Sequence, residues 1–138
     1  MEKYDKLIIY TDGGARGNPG PSGIGAVLTD ENKKIVAEIS QYIGEATNNQ
    51  AEYQALIAAL DKAKKLFAKD VEVFLDSELV VKQLNRKYRV KDKYLAILFV
   101  KAYNISLSFK KIVFKHIPRE KNILADKLVN LALDREGK

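Results

Sequence analysis

With 138 residues, 46% of them hydrophobic and 30% charged, the chain has the length and balance of one globular domain, spanning 1–138, that can bury a core without staples. It has no cysteine, which excludes disulfides and thiolate metal sites; its one histidine, His116, excludes a multi-histidine zinc site, so any metal must be held by oxygen, as magnesium and manganese prefer. The net charge of +6 is unevenly spread: residues 1–58 hold 5 Lys/Arg against 8 Asp/Glu, whereas residues 82–121 hold 12 against 2.

Lys6 to Asp12 reads as a strand, with Leu7, Ile9 and Thr11 on one face and Ile8, Tyr10 and Asp12 on the other. It ends on a carboxylate. A buried strand-end Asp loses hydration and must be satisfied by a cation, a donor or water. The stretch Gly17-Asn18-Pro19-Gly20-Pro21-Ser22-Gly23 then reads as a turn, Gly23 to Leu28 as a second strand, and Lys34 to Ile43 as a third. Their short connections predict an antiparallel meander.

At Ala51 the period changes to that of a helix, carried by Ala55, Leu56, Ala59, Leu60, Ala63 and Phe67. Thr47 and Gln50 stand ahead of it at capping-box spacing. Val71 to Asp76 is a short strand that again closes on an Asp. Ser77 caps a helix to about Lys87, and Lys91 to Ser106 forms another, with Leu95, Leu98, Phe99 and Ala102 inward. Phe109 to His116 is the fifth strand, and Asn122 starts the last helix. The order βββαβααβα makes the first and fourth strands parallel neighbours through a right-handed crossover. Ligands of such sheets sit beyond the carboxyl ends of the strands, where Asp12 and Asp76 lie.

Four acids thus stand out: Asp12, Glu52 in the first turns of its helix, Asp76, and Asp126 near the start of the last helix. Singly, each could cap a turn or oppose a helix dipole. Together in one cleft they would repel unless cations neutralised them, and two divalent ions are the usual solution.

The chain resembles type 1 ribonuclease H. The resemblance is carried by Tyr10-Thr11-Asp12-Gly13-Gly14 with Gly17-Asn18-Pro19-Gly20-Pro21, by Thr47-Asn48-Asn49-Gln50-Ala51-Glu52, by Asp76-Ser77-Glu78, and by His116-Ile117-Pro118-Arg119-Glu120-Lys121-Asn122 running to Asp126. These four pieces span the domain in the family's order. The resemblance implies an α/β, ribonuclease H-like fold, with a five-stranded mixed sheet (three antiparallel strands plus two parallel) flanked by helices. It implies hydrolysis of the RNA strand of an RNA/DNA hybrid by two Mg²⁺ ions (Mn²⁺ may substitute), leaving 5′-phosphate and 3′-hydroxyl ends. Asp12, Glu52, Asp76 and Asp126 would hold the metal, and His116 would assist proton transfer or product departure.

Substrate contacts are expected from Gly13, Gly14, Asn18, Thr47, Asn48, Asn49 and Glu78, with Thr47 in a pocket for a DNA phosphate. Glycines let backbone groups approach a sugar, and the RNA 2′-hydroxyl both donates and accepts. Glu78 stands where many bacterial relatives carry Gln, which adds a negative charge near the substrate. The segment from Gln83 to Leu95 is shorter than the basic protrusion of some members, so Arg86, Lys87 and Arg89 are expected to grip the hybrid, with Lys91 and Lys93 beside them. A purely solvated lysine face is the alternative for that region.

A non-catalytic binding module would have lost a carboxylate, and none is lost. A different nuclease or transposase of the same superfamily is disfavoured by Asn48-Asn49 and Gly17-Asn18-Pro19-Gly20. The glycine-rich turn is no nucleotide-phosphate loop, since it lacks a Gly-Lys-Ser/Thr ending and opens no helix. With no apolar run of membrane-spanning length and no visible signal peptide, a monomer in the cytoplasm, without membrane or protein partner, is the expectation.

Overall fold

The alternation along the first strand does what its period demands: Leu7, Ile9 and Thr11 are buried while Ile8 and Tyr10 stay half-buried. In the computed structural model, which describes residues 3–138, five strands make one sheet: β1 (Lys6–Ala15), β2 (Gly20–Thr29), β3 (Ile35–Ala46), β4 (Asp70–Leu75) and β5 (Lys111–His116). Their order is β3-β2-β1-β4-β5, antiparallel across β3, β2 and β1 and parallel from β1 through β4 to β5. Four helices flank it: α1 (Asn48–Lys65), α2 (Glu78–Leu84), α3 (Lys93–Ser106) and α4 (Ile123–Arg135). This is the expected mixed sheet, three strands antiparallel and two added in parallel.

The helices take opposite faces. A Cβ on Gly13 would collide with the Ala51 backbone, so α1 covers the face that carries Leu7, Ile9 and Thr11. Gly25, paired with Asp12 and hence on the other face, lies directly under the Ala125 carbonyl of α4. Val71, Val73 and Leu75 of β4 join Leu7 and Ile9 beneath α1, and Leu98 and Ala102 of α3 close the core behind it. Tyr53 of α1 is fully buried and donates its hydroxyl to Gln83 Oε1 of α2 at 2.6 Å. Among the described residues, no helix is long and apolar enough to cross a membrane.

Several expected boundaries move. β1 does not end at Asp12 but runs on to Ala15, and β2 already begins at Gly20, so only Arg16 to Pro19 forms the turn. Gly20 and Gly23, read as part of the turn, lie in β2: a Cβ on Gly23 would press on the Val129 carbonyl of α4, and one on Gly20 would collide with the Arg16 carbonyl of the turn itself. β3 likewise continues past Ile43 to Ala46. α2 stops at Leu84 rather than Lys87, because Arg86 adopts a left-handed φ of 64° and the chain reverses there. α3 starts at Lys93 behind an Asp92 cap, β5 starts at Lys111 rather than Phe109, and a 3₁₀ turn at Arg119–Lys121 precedes α4.

Candidate active site

The position that matters is where the β1–β4 ladder ends. Thr11 and Leu75 are its last partners, and the next residues are Asp12 and Asp76. Glu52 reaches the same point from α1, whose start is fixed twice over. Thr47 and Gln50 exchange bonds in a complete capping box, Gln50 N to Thr47 Oγ1 at 3.1 Å and Thr47 N to Gln50 Oε1 at 2.9 Å. Ala15 N donates to Asn48 Oδ1 at 2.8 Å, and Asn48 N to Asn18 Oδ1 at 3.0 Å, which ties the first turn of the helix to the β1–β2 connection.

Asp12, Glu52 and Asp76 each present a carboxylate oxygen within 4.8 Å of the others. The Gly13 N–H donates to both Asp12 Oδ1, at 2.9 Å, and Glu52 Oε1, at 3.2 Å. Glu52 Oε2 is buried with no hydrogen-bond partner, and none of the four acids forms a salt bridge among the described residues. Asp126 lies outside the tight group and lines the same cleft from α4, near enough to Asp12 to raise its pKa.

Burial is the first cause of the unusual titration here. It pushes Asp12 up to about 7, against the lowering effect of its hydrogen bond with Glu52; the charges of Asp76 and Asp126 raise it further. Glu52 is driven well above the ordinary glutamate range by burial and then by the charge of Asp12. The pair therefore retains protons that isolated carboxylates would have lost. An acid cluster with an orphaned buried oxygen and, among the described residues, no salt bridge to a cationic side chain fits hard divalent cations, whose oxygen ligands these are.

The cleft has a volume of about 360 Å³ and is lined by Gly13, Gly14, Asn48 and Asn49 besides the four acids. Asn18 and Thr47 do not line it; Asn18 braces Asn48, and Thr47 caps α1. The absent Cβ of Gly13 serves the approach of α1, whereas Gly14 has open space save for Val129. His116 is exposed at the end of β5. It and Glu78 lie outside the cleft lining; the pKa of Glu78 is lowered first by its hydrogen bond and ion pair with Lys82 and last by the nearby His116. The added charge of Glu78 is met by Lys82 at 2.8 Å. Arg86, Lys87 and Arg89 line a separate groove with Tyr88, Phe99 and Val100.

A family described as Reverse transcriptase-like matches residues 10–132. Ribonuclease HI of Halobacterium salinarum is 46% identical over 133 residues, covering 96% of this chain and 67% of that protein. The chain belongs to the type 1 ribonuclease H family. The bifunctional protein Rv2228c of Mycobacterium tuberculosis is 47% identical across 94% of this chain, which spans only 36% of that relative's length. Among solved structures, LC11-RNase H1 in complex with an RNA/DNA hybrid is 52% identical, with a TM-score of 0.90 over 96% of this chain and 99% of that one.

At this candidate site of a ribonuclease H family member, four further residues were not singled out from sequence. Arg16, Arg119 and Asn130 line the cleft, and Asn130 donates to the Asp126 carbonyl at 3.1 Å. Its spacing of four from Asp126 on a helix is the signal that could have found it. Asn122, read only as a helix start, sends its side chain to Asp76 instead.

Proposed function

We propose that this chain hydrolyses the RNA strand of RNA/DNA hybrids as an endonuclease, with Asp12, Glu52, Asp76 and Asp126 holding two divalent cations, Mg²⁺ or Mn²⁺. The observation that carries this reading is the convergence of Asp12, Glu52 and Asp76 from three elements, the first two buried and the third half-buried, with carboxylate oxygens within 4.8 Å of one another. When bound, such ions lower the pKa of water, orient it and neutralise charge gathering on a phosphodiester. The products would carry 5′-phosphate and 3′-hydroxyl ends. The relative whose complex holds an RNA/DNA hybrid supports the choice of substrate.

The chain's own residues do the rest. The Gly13 N–H fixes two of the carboxylates in register. The amides of Asn48 and Asn49, on the cleft wall beside Gly14, face the minor groove of a hybrid, where a 2′-hydroxyl can be tested as donor and acceptor. The Thr47 hydroxyl still has a hydrogen to give a phosphate while its oxygen caps α1. His116, exposed on the same edge of the sheet, exchanges protons with the departing strand. Arg86, Lys87 and Arg89 take the more distant phosphates, and Glu78, paired with Lys82, presents a neutralised rather than a repulsive surface. The proposed enzyme acts as a cytoplasmic monomer.

Incubation of end-labelled RNA/DNA hybrid, RNA duplex and DNA duplex with Mg²⁺, with and without EDTA, tests the reading. RNA-strand cleavage of the hybrid alone, abolished by EDTA, is the expected result. Equal cleavage of the DNA duplex, or activity that survives EDTA, would overturn it.

A further inference from the structure

Asn122 occupies the N-cap of α4, where an Asn side-chain oxygen ordinarily accepts a backbone N–H from the first turn. Here it makes no such bond. The side chain, only 1% exposed, turns toward the sheet. Its Nδ2 donates to the Thr11 carbonyl at 2.8 Å and to Asp76 Oδ2 at 2.9 Å. Its Oδ1 is left buried without a partner. A residue placed for helix stability would have capped the helix and satisfied that oxygen; this one forgoes both.

We propose that Asn122 is the positioning residue of the acid cluster, one amide that sets Asp76 against Asp12 for cation binding. Both of its hydrogens are committed, one to the backbone immediately before Asp12 and one to Asp76 itself, just past the last β1–β4 pair. The amide in effect adds a rung to a ladder that has stopped, so the two strand ends keep their spacing where like charges would push them apart. The donor is neutral, and that matters. A Lys or Arg here would hold Asp76 equally well but would neutralise it and compete with a cation, whereas an amide orients the carboxylate and leaves its charge and remaining lone pairs available. Because Asn122 also begins the helix that carries Asp126, a single side chain fixes the relation of β1, β4 and α4.

This inference rests on the proposed metal-dependent reading, and its test separates the two. Mn²⁺ binding to the unaltered chain and to Asn122→Ala is followed by the free-ion electron paramagnetic resonance signal, and kcat and KM are measured separately on a hybrid with Mg²⁺. The expected result is a 10- to 100-fold loss of Mn²⁺ affinity and a comparable fall in kcat, with KM changed less than about twofold. Undiminished Mn²⁺ affinity in a folded Asn122→Ala, or a loss confined to KM, would overturn the role of Asn122 alone. Failure of the unaltered chain to bind Mn²⁺ would overturn both readings. Should Asn122→Ala not fold, the side-chain amide resonances of Asn122 in the unaltered, ¹⁵N-labelled chain decide: they should shift with Mg²⁺ saturation while those of Asn85, at the C-cap of α2, stay still. Asn122 resonances that do not move would overturn the proposal.

Discussion

Asp12 illustrates how a single residue couples stability to chemistry. In the metal-free fold its pKa is pushed up to about 7 by burial and by neighbouring acids, whereas in an unfolded chain it is that of an ordinary aspartate. Between roughly pH 4 and pH 7 the folded state therefore holds a proton that the unfolded state has released, so this contribution is full below the window and declines as pH rises through it. Asp12→Asn removes the effect. In EDTA at pH 8 the variant should be more stable to chemical denaturation than the parent, by on the order of a few kcal/mol, and the gap should close toward pH 4. Its cleavage with Mg²⁺ should fall by more than about 10³-fold. A variant of equal stability and equal turnover would refute both the buried charge and its use. His116, exposed and outside the acid group, is expected to matter less: His116→Ala should slow turnover by up to about 10²-fold without abolishing it, measured under single-turnover conditions.

Close approach between elements decides the next level. α4 can lie on β2 only because Gly25 presents no Cβ to the Ala125 carbonyl, and its neighbour Gly23 plays the same part toward Val129. Gly25→Ala should force the helix outward and cost about 1–3 kcal/mol or more in chemical denaturation, carrying Asp126 away from the cleft and lowering activity even where the fold survives. The α1–α2 contact offers a polar counterpart. Tyr53→Phe deletes the hydroxyl that satisfies the buried Gln83 Oε1, and should lower stability by about 1–3 kcal/mol with little effect on KM. These costs are separable because Gly25 faces α4 and Tyr53 faces the opposite side of the sheet.

The whole molecule is polarised, with acids gathered at the carboxyl ends of β1 and β4 and cations concentrated in residues 82–121. Such a surface should bind a hybrid in a strongly salt-dependent way. If about five of these cations reach phosphates, affinity should drop by roughly two to three orders of magnitude between about 50 and 200 mM salt. A flat response in a filter-binding titration would reduce the basic region to a solvated face. Part of its charge is already engaged: Lys82 pairs with Glu78, Lys115 with Glu72, and Arg86 lies over the Tyr103 ring.

By itself the amino-acid sequence determined the order of elements, the capping box at Thr47, the inward faces of β1 and α3, and the four acids worth watching, because period, capping chemistry and charge are local properties. It extended the turn over Gly20 to Gly23, which lie in β2, since whether a glycine such as Gly23 serves a bend or a neighbouring helix depends on Val129, 106 positions away. The left-handed Arg86 that ends α2 early is hidden for a related reason, as no glycine announces it. Only the tertiary structure decided that three acids meet within 4.8 Å while Asp126 joins them from α4 beside Asp12, and that Asn122 abandons its helix cap for Asp76. Distances between charges, and the choice of a side chain between two partners, follow from packing across the sheet, which no stretch of sequence contains.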